Sequence, residues 1–152
     1  MKDIRIYILY FAFIMLLGSC KKDSEDPKTY DMEILDAVNA YRAGLGLTPL
    51  ENNDFMWEQA REHSQATADG TIPFGHDGST DRYANIRLEL GNGNYAENID
   101  WGSGTATEVV DRWLESVGHK GNIEGNFKYT AISAIRTTDN KFYYTQLFYK
   151  PD

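Results

Sequence analysis

Three histidines, His63, His76 and His119, are the residues of this sequence best suited to bind a metal ion or to transfer protons. Together with a carboxylate such as that of Glu97, imidazole nitrogens can form a tetrahedral zinc site, and a catalytic zinc keeps one position open for water. The four residues lie far apart in the chain, and none belongs to a local signature such as His-Glu-x-x-His. Their spacing alone leaves open whether they share one site or have separate structural roles.

Each of these four residues also has a structural interpretation. His63 falls on the apolar face of a predicted helix, where its ring can bond to a backbone group. His76 can be a turn residue beside Asp77. His119 follows a predicted helix end, where a positive charge interacts favourably with the helix dipole, and Glu97 can accept hydrogen bonds from backbone donors.

No serine stands in a recognisable catalytic arrangement. Ser64 adjoins His63, but neighbouring residues on a helix point in different directions. Ser116 precedes His119 by three residues, and Gly118 between them indicates that the helix ends there. The sequence also contains no Gly-x-Ser-x-Gly elbow, so it disfavours a serine hydrolase.

The first twenty residues have the order of a bacterial export signal. Lys2 and Arg5 precede an apolar run over residues 6–17, which as a helix would rise about 18 Å. That is too short for a hydrocarbon layer of roughly 30 Å. Leu17-Gly18-Ser19-Cys20 resembles the bacterial lipobox, and Cys20 is the single cysteine of the chain.

We therefore predict a lipoprotein signal peptide over residues 1–19, followed by an acylated Cys20 and a flexible tether over residues 20–29. Acylation at Cys20 makes the membrane a predicted partner and places the protein in the cell envelope, as an outer-membrane lipoprotein. These residues leave open whether the domain is exposed at the cell surface.

The overall charge excludes one class of partner. The chain has 15 basic and 23 acidic residues, a net charge of −8 at pH 7, and no basic stripe. Nucleic acid is therefore not expected to bind. Ten tyrosines, seven phenylalanines and three tryptophans suit both a ring-rich core and a surface for an amphipathic ligand.

Hydrophobic periodicity predicts one α+β domain over residues 30–150, with an antiparallel sheet flanked by helices. Helices are expected over residues 31–43, 54–68, 81–90 and 105–116, and strands over 97–101, 129–136 and 141–150. Residues 91–94 are expected to interrupt regular structure.

Residue types at the element ends support these boundaries. Asp31 and Asn53 are expected to cap the first two helices, and Thr105 with Glu108 resembles a capping box. Asp139-Asn140 suits the tight turn of a hairpin.

Six of these segments resemble the bacterial branch of the CAP superfamily (cysteine-rich secretory, antigen 5 and pathogenesis-related proteins) in the expected order. They are Asn39-Ala40-Tyr41-Arg42 with Gly46-Leu47-Thr48-Pro49-Leu50, residues 60–64, Phe74-Gly75-His76, Glu97-Asn98-Ile99, residues 113–123, and Tyr144-Thr145-Gln146-Leu147-Phe148. The resemblance implies an α-β-α sandwich with a cleft that gathers His63, His76, Glu97 and His119. Such a cleft can hold zinc or another divalent metal, with Asn98, Glu115 and Tyr143 as residues that support the ligands.

The chain departs from the animal and plant members, which place two histidines and two glutamates around the cleft. Tyr143 stands where we align their strand histidine, and Glu115 is one position away from the second glutamate. The disulfides of the animal members are absent. We therefore predict a non-enzymatic module that binds a lipid, a glycan or a protein, and we assign no catalytic residue. The alternatives are a metal-dependent hydrolase of peptides or envelope polymers, with Glu97 as ligand or base, and a purely structural or adhesive role.

Overall fold

The computed structural model describes residues 27–152, which form five helices and one four-stranded sheet. The helices are α1 (Pro27–Gly44), α2 (Asp54–Ala68), α3 (Ser79–Leu90), α4 (Ala106–Glu115) and α5 (Val117–Glu124). The strands are β1 (Glu51–Asn52), β2 (Gly93–Gly102), β3 (Tyr129–Arg136) and β4 (Phe142–Pro151). The predicted signal peptide, Cys20 and most of the predicted tether lie outside the described residues. No helix in the described part is both long and apolar enough to cross a membrane.

The sheet has the strand order β1-β3-β4-β2, which leaves β2 at one edge. β4 pairs antiparallel with both β2 and β3, as predicted. The prediction of a wholly antiparallel sheet was wrong in one respect, because β1 pairs parallel with β3 at Glu51 and Tyr129. A strand of two residues is too short to show the alternation that reveals strands in a sequence.

Helices cover both faces of the sheet, and alternate residues of β4 divide between two cores. Tyr144 and Phe148 pack into a core with α1, α4 and α5, which includes Trp113. Leu147 and Tyr149 face the other way and pack with α2 and α3 around Met56. Because side chains of a strand alternate in direction, this division gives the predicted α-β-α sandwich.

Several predicted boundaries agree with the structure. α2 and β3 span the predicted residues. Asn53 caps α2 by accepting a hydrogen bond from the Met56 N–H, and the Thr105–Glu108 capping box opens α4. Asn140 has a positive φ of 64° in the hairpin turn between β3 and β4.

Other boundaries were wrong. α3 begins at Ser79 rather than at residue 81, and β2 extends back to Gly93 through the predicted interruption. Gly118 does not end the helical region, since Ser116 adopts an extended conformation and caps a new helix, α5. His119 thus lies in the first turn of a helix rather than beyond a helix end.

The predicted start of α1 was also wrong. The helix already includes Pro27, so it takes in the last residues of the predicted tether, and proline is well tolerated in a first turn. Asp31 is therefore inside α1 and does not cap it. Its buried carboxylate accepts hydrogen bonds from the Ala134 N–H at 2.8 Å and the Trp57 indole at 2.7 Å.

Candidate functional site

A buried ion pair between Glu97 and Arg82 forms the centre of the site. Glu97 lies on β2 with its side chain 3% exposed, and Arg82 lies on α3 with its side chain 10% exposed. Arg82 Nε donates to Glu97 Oε2 at 2.8 Å and Nη2 donates to Oε1 at 2.9 Å. A planar guanidinium that binds both carboxylate oxygens fixes the orientation of the glutamate as well as balancing its charge.

Two further groups complete the coordination of the Glu97 carboxylate. The Tyr95 hydroxyl donates to Oε2 at 2.9 Å, and His76 Nδ1 lies 2.7 Å from Oε1. Burial, followed by the negative charge of Glu97, raises the pKa of the Tyr95 phenol above its ordinary value, so this hydroxyl remains a donor. With Arg82 supplying two donors, the four lone-pair positions of the carboxylate are all engaged.

The loop before α3 is held by the same arginine. Arg82 Nη1 donates to the Asp77 carbonyl oxygen at 2.9 Å, one residue after His76. Gly78 has a φ of 73°, and a Cβ there would lie 3.2 Å from Arg82 Nη1. A glycine is therefore needed for the guanidinium to approach the loop, and the loop in turn places His76 on Glu97.

His119 belongs to α5, which packs on the other face of the sheet and bonds to the edge strand β2. The Asn98 amide donates to the His119 carbonyl at 3.1 Å, and Asn122 bonds to Asn98 Oδ1 at 2.8 Å and to the Glu97 carbonyl at 3.3 Å. Burial, followed by the charge of His76, lowers the pKa of His119. Asn98 and Asn122 therefore attach α5 to β2 and position the histidine.

His63 takes a different position. It lies on α2 against the sheet, and its Nδ1 is 2.9 Å from the Thr145 hydroxyl oxygen, which also accepts a hydrogen bond from Ser64. Burial, followed by the positive charge of Arg82, lowers the pKa of His63. Of the four predicted residues, the structure joins His76 and Glu97 directly. The charge of His76 acts on His119, and the charges of Arg82, Glu97 and His76 act on His63.

Aromatic side chains form one wall beside this group, which we call the aromatic wall (Phe74, Trp101 and Tyr143). Trp101 is opposite Tyr143 in the β2–β4 register, and the Phe74 ring meets the edge of Tyr143 with 6.1 Å between centroids. Phe74 is 47% exposed and Trp101 is 49% exposed. Large rings that stay in water beside polar groups are available to a ligand.

Glu115 does not join this group. It lines a separate hollow of about 500 Å³ along α4, together with Asp111 and Arg112. Glu115 is an exposed carboxylate there, at the last residue of α4.

The residues present do not fit a metal ion bound through Glu97, because its lone pairs are already engaged by Arg82, Tyr95 and His76. Among residues 27–152, no three His, Cys, Asp or Glu side chains lie close enough together to hold a metal ion. His76 Nε2 is free of the glutamate, an arrangement in which a carboxylate can orient a metal-binding imidazole. The predicted zinc site of His63, His76, Glu97 and His119 stays a prediction.

Sequence reasoning missed Arg82 and Tyr95. Arg82 precedes Ile86 by four residues on a predicted helix, which places both on the same face. Because a buried arginine generally needs a carboxylate partner, the sequence already indicated that Arg82 pairs with an acidic residue. Tyr95 precedes Glu97 by two residues and shares its strand face, but the predicted interruption over residues 91–94 concealed the strand.

The described residues thus define an α-β-α sandwich whose edge strand carries a buried glutamate, with one histidine from a loop and another from the opposite helical layer. A family model described as the cysteine-rich secretory protein family, CAP, matches residues 35–148. The chain belongs to this family, which confirms the resemblance seen in the sequence.

Individual relatives agree with this assignment. The chain is 30% identical over 112 residues to the uncharacterized protein YkwD of Bacillus subtilis, covering 71% of this chain and 43% of the relative. It is 29% identical over 106 residues to pathogenesis-related protein 1C of Nicotiana tabacum, covering 67% of this chain and 51% of the relative. The chain therefore spans about half the length of these relatives.

Solved structures show the same fold. An outer surface protein of Borrelia burgdorferi superimposes with a TM-score of 0.71 at 24% identity, covering 84% of this chain and 96% of the other. A cysteine-rich secretory protein of Staphylococcus aureus gives a TM-score of 0.68 at 16% identity, covering 83% of this chain and 40% of the other.

Replacing Arg82→Met tests the central ion pair. The variant leaves the Glu97 carboxylate buried without its cation, so we expect the free energy of unfolding to fall by about 3–5 kcal/mol. Chemical denaturation followed by circular dichroism measures this. Arg87→Met, at an exposed position of the same helix, is the matched control and should change the free energy by less than about 0.5 kcal/mol. Equal effects of the two substitutions would contradict a structural role for the pair.

Proposed function

We propose that this protein is a lipid-anchored CAP module of the bacterial cell envelope that binds a ligand without transforming it. The observation that carries the proposal is the state of Glu97, whose carboxylate is bound by Arg82, Tyr95 and His76. A general base needs a free lone pair within reach of the proton that it removes. The central carboxylate instead holds the walls of the cleft in place.

The cleft offers more to binding than to catalysis. The aromatic wall supplies apolar area, and His76 and His119 supply hydrogen-bonding groups beside it. Binding sites commonly combine apolar lining with a few fixed polar groups. The ligand classes that suit such a surface are a glycan, a lipid or a protein. A net charge of −8 disfavours anionic lipid surfaces and nucleic acid.

The location in the envelope rests on the first twenty residues and on the relatives. Lys2, Arg5 and the apolar run end at the lipobox-like Leu17-Gly18-Ser19-Cys20. The relatives with solved structures include an outer surface protein and an extracellular protein. Each buried methylene of an acyl chain adds about 0.8 kcal/mol, so several chains on Cys20 would anchor the protein stably. We propose the outer membrane as the site of this anchor, with the domain exposed at the surface.

Replacing Cys20→Ser tests the anchor. In a Gram-negative host that expresses the full chain, the wild-type protein should incorporate labelled palmitate and enter the detergent phase of a Triton X-114 extraction. The variant should incorporate no label and remain in the aqueous phase, because it cannot be acylated. Equal partition of both proteins would exclude Cys20 as the anchor.

The ligand test uses Trp101, because Trp113 is buried and the Trp57 indole is bonded to Asp31. We expect a tetrasaccharide of N-acetylglucosamine to change the fluorescence of the full chain in detergent in a saturable way. Trp101→Phe should report which part of the signal comes from this ring, and Tyr143→Ala should weaken binding about tenfold, or 1.4 kcal/mol.

Phe55→Ala is the matched control, since Phe55 is a 36% exposed ring on α2 outside the cleft. It should leave the affinity unchanged. Saturation by zwitterionic lipid instead of the saccharide would assign the cleft to lipid. Cleavage of the saccharide during the titration would contradict a purely binding role, and no response to either would favour a structural or adhesive role.

The alternative, a metal-dependent hydrolase, is favoured by one observation. His76 bonds to Glu97 through Nδ1, so Nε2 is not engaged by the glutamate, and the charge of His76 acts on His119. Zinc bound there would supply a Lewis acid. Within this chain, Glu97 would orient His76, and Asn98 would hold the His119 backbone.

Zinc calorimetry on the full chain, purified without a His tag, separates the two functions. We expect no stoichiometric binding, because Glu97 is engaged and a catalytic zinc needs three protein ligands. Stoichiometric binding that is lost in His76→Ala and in His119→Ala would overturn this expectation and would support the hydrolase.

A further inference from the structure

The proposed anchor at Cys20 limits which end of the domain can face the membrane. Residues 21–26 separate Cys20 from the start of α1 at Pro27, and even fully extended they span at most about 25 Å. α1 has 18 residues and is therefore about 27 Å long. The end of the domain at which α1 ends cannot face the membrane, because Pro27 would then be further from the lipid than residues 21–26 can reach.

The start of α1 lies at one end of the sheet. Asp31 accepts a hydrogen bond from the Ala134 N–H at 2.8 Å, near the end of β3. The Tyr30 ring lies 5.1 Å from the ring of Phe142, the first residue of β4, measured between centroids. The Tyr30 hydroxyl donates to the Gly104 carbonyl at 2.6 Å, just after the end of β2. The anchored segment thus enters the domain beside the ends of β2 and β3 and the start of β4.

Aromatic and basic side chains lie together at this end of the sheet, which we call the anchor end (Trp101, Arg136, Lys141 and Phe142). Trp101 is 49% exposed, and Lys141 Nζ lies 5.1 Å from the centroid of its ring. Arg136 Cζ lies 5.8 Å from the centroid of the Phe142 ring. Tryptophan is typical of the interface between membrane and water, where lysine and arginine lay their apolar stems along hydrophobic groups and keep their charges in the polar layer.

The charge of the anchor end differs from that of the whole chain, which is −8 at pH 7. Two basic residues stand here beside Asp139, whose carboxylate lies 3.5 Å from Lys141 Nζ in an exposed ion pair. Glu33 and Glu108 carry charges that act on Tyr30, on the α1 side of the sheet. The basic side chains therefore mark the side with β2 and the hairpin as the part suited to the phosphates of a zwitterionic lipid.

We propose that the anchor end lies on the zwitterionic lipid surface that holds the acyl chains of Cys20, with Trp101 in the interface and Arg136 and Lys141 on the lipid phosphates. This contact rests on the anchor of the proposed function. It makes the membrane a partner of the folded domain as well as of Cys20. Because Trp101 also belongs to the aromatic wall, the wall then borders the lipid surface.

Quenching of tryptophan fluorescence by brominated lipid tests this contact on the full, acylated chain. The protein is reconstituted into vesicles of phosphatidylcholine and phosphatidylethanolamine, with or without bromine on the acyl chains. We expect bromine to quench the emission of the wild-type protein. Trp101→Phe should abolish most of this quenching, because Trp113 is 1% exposed and the Trp57 indole is bonded to Asp31.

A double charge reversal, Arg136→Glu with Lys141→Glu, should remove at least about half of the quenching, because repulsion from the lipid phosphates replaces attraction. The matched control is Lys128→Glu with Lys150→Glu, at the opposite end of the β3–β4 pair. It changes the net charge equally and also removes a lysine from an aromatic ring, since Lys128 Nζ lies 4.6 Å from the centroid of Tyr129. The control should leave the quenching unchanged, and circular dichroism verifies that all variants are folded.

Three results would overturn the contact and leave the anchor intact. They are wild-type protein that sediments with the brominated vesicles without being quenched, quenching that Trp101→Phe leaves unchanged, and an equal loss of quenching in the two double variants. Wild-type protein that does not sediment with the vesicles would contradict the anchor, and the contact together with it.

Discussion

The ion pair between Arg82 and Glu97 is the interaction on which the rest of the site depends. A carboxylate on the middle of β2 with 3% side-chain exposure is tolerated only with a cation and further donors around it. Arg82 meets this need from α3 and also bonds to the Asp77 carbonyl in the preceding loop. One side chain therefore fixes the glutamate, the loop and, through the loop, His76.

The edge position of β2 explains how two helical layers contribute to one site. Alternation sends Tyr95 and Glu97 towards α2 and α3, whereas Asn98 points to α5 on the other face. A central strand would keep these two sets apart, because its neighbours would block the way around it. At the edge, α5 can fold over the backbone, and Asn122 bonds to the Glu97 carbonyl. His119 thereby lies within reach of the charge of His76.

The sequence predicted the helices and strands well where neighbouring residues signal an element boundary. It predicted the residues of the site less completely. Asn53 and the Thr105–Glu108 box marked helix starts because their side chains bond within the same turn. Gly118 misled the prediction because a helix can restart at once when a residue such as Ser116 caps it. The bond from Arg82 to Glu97 spans 15 residues and depends on how α3 packs on β2, so residue types alone could not establish it.

The fold is held without any covalent cross-link, since the single cysteine, Cys20, precedes the domain. Buried polar side chains connect the distant segments instead. Arg42 is 2% exposed and bonds to the carbonyl oxygens of Thr48 at 2.6 Å, Ile123 at 2.5 Å and Gly125 at 3.0 Å, which fastens α1 to the end of α5. Buried carbonyls at segment ends cost about 1–3 kcal/mol each when they lack a partner. A charged side chain that bonds to three carbonyl oxygens connects distant segments of this chain, as a disulfide does in small exported domains, and it does not depend on an oxidising environment.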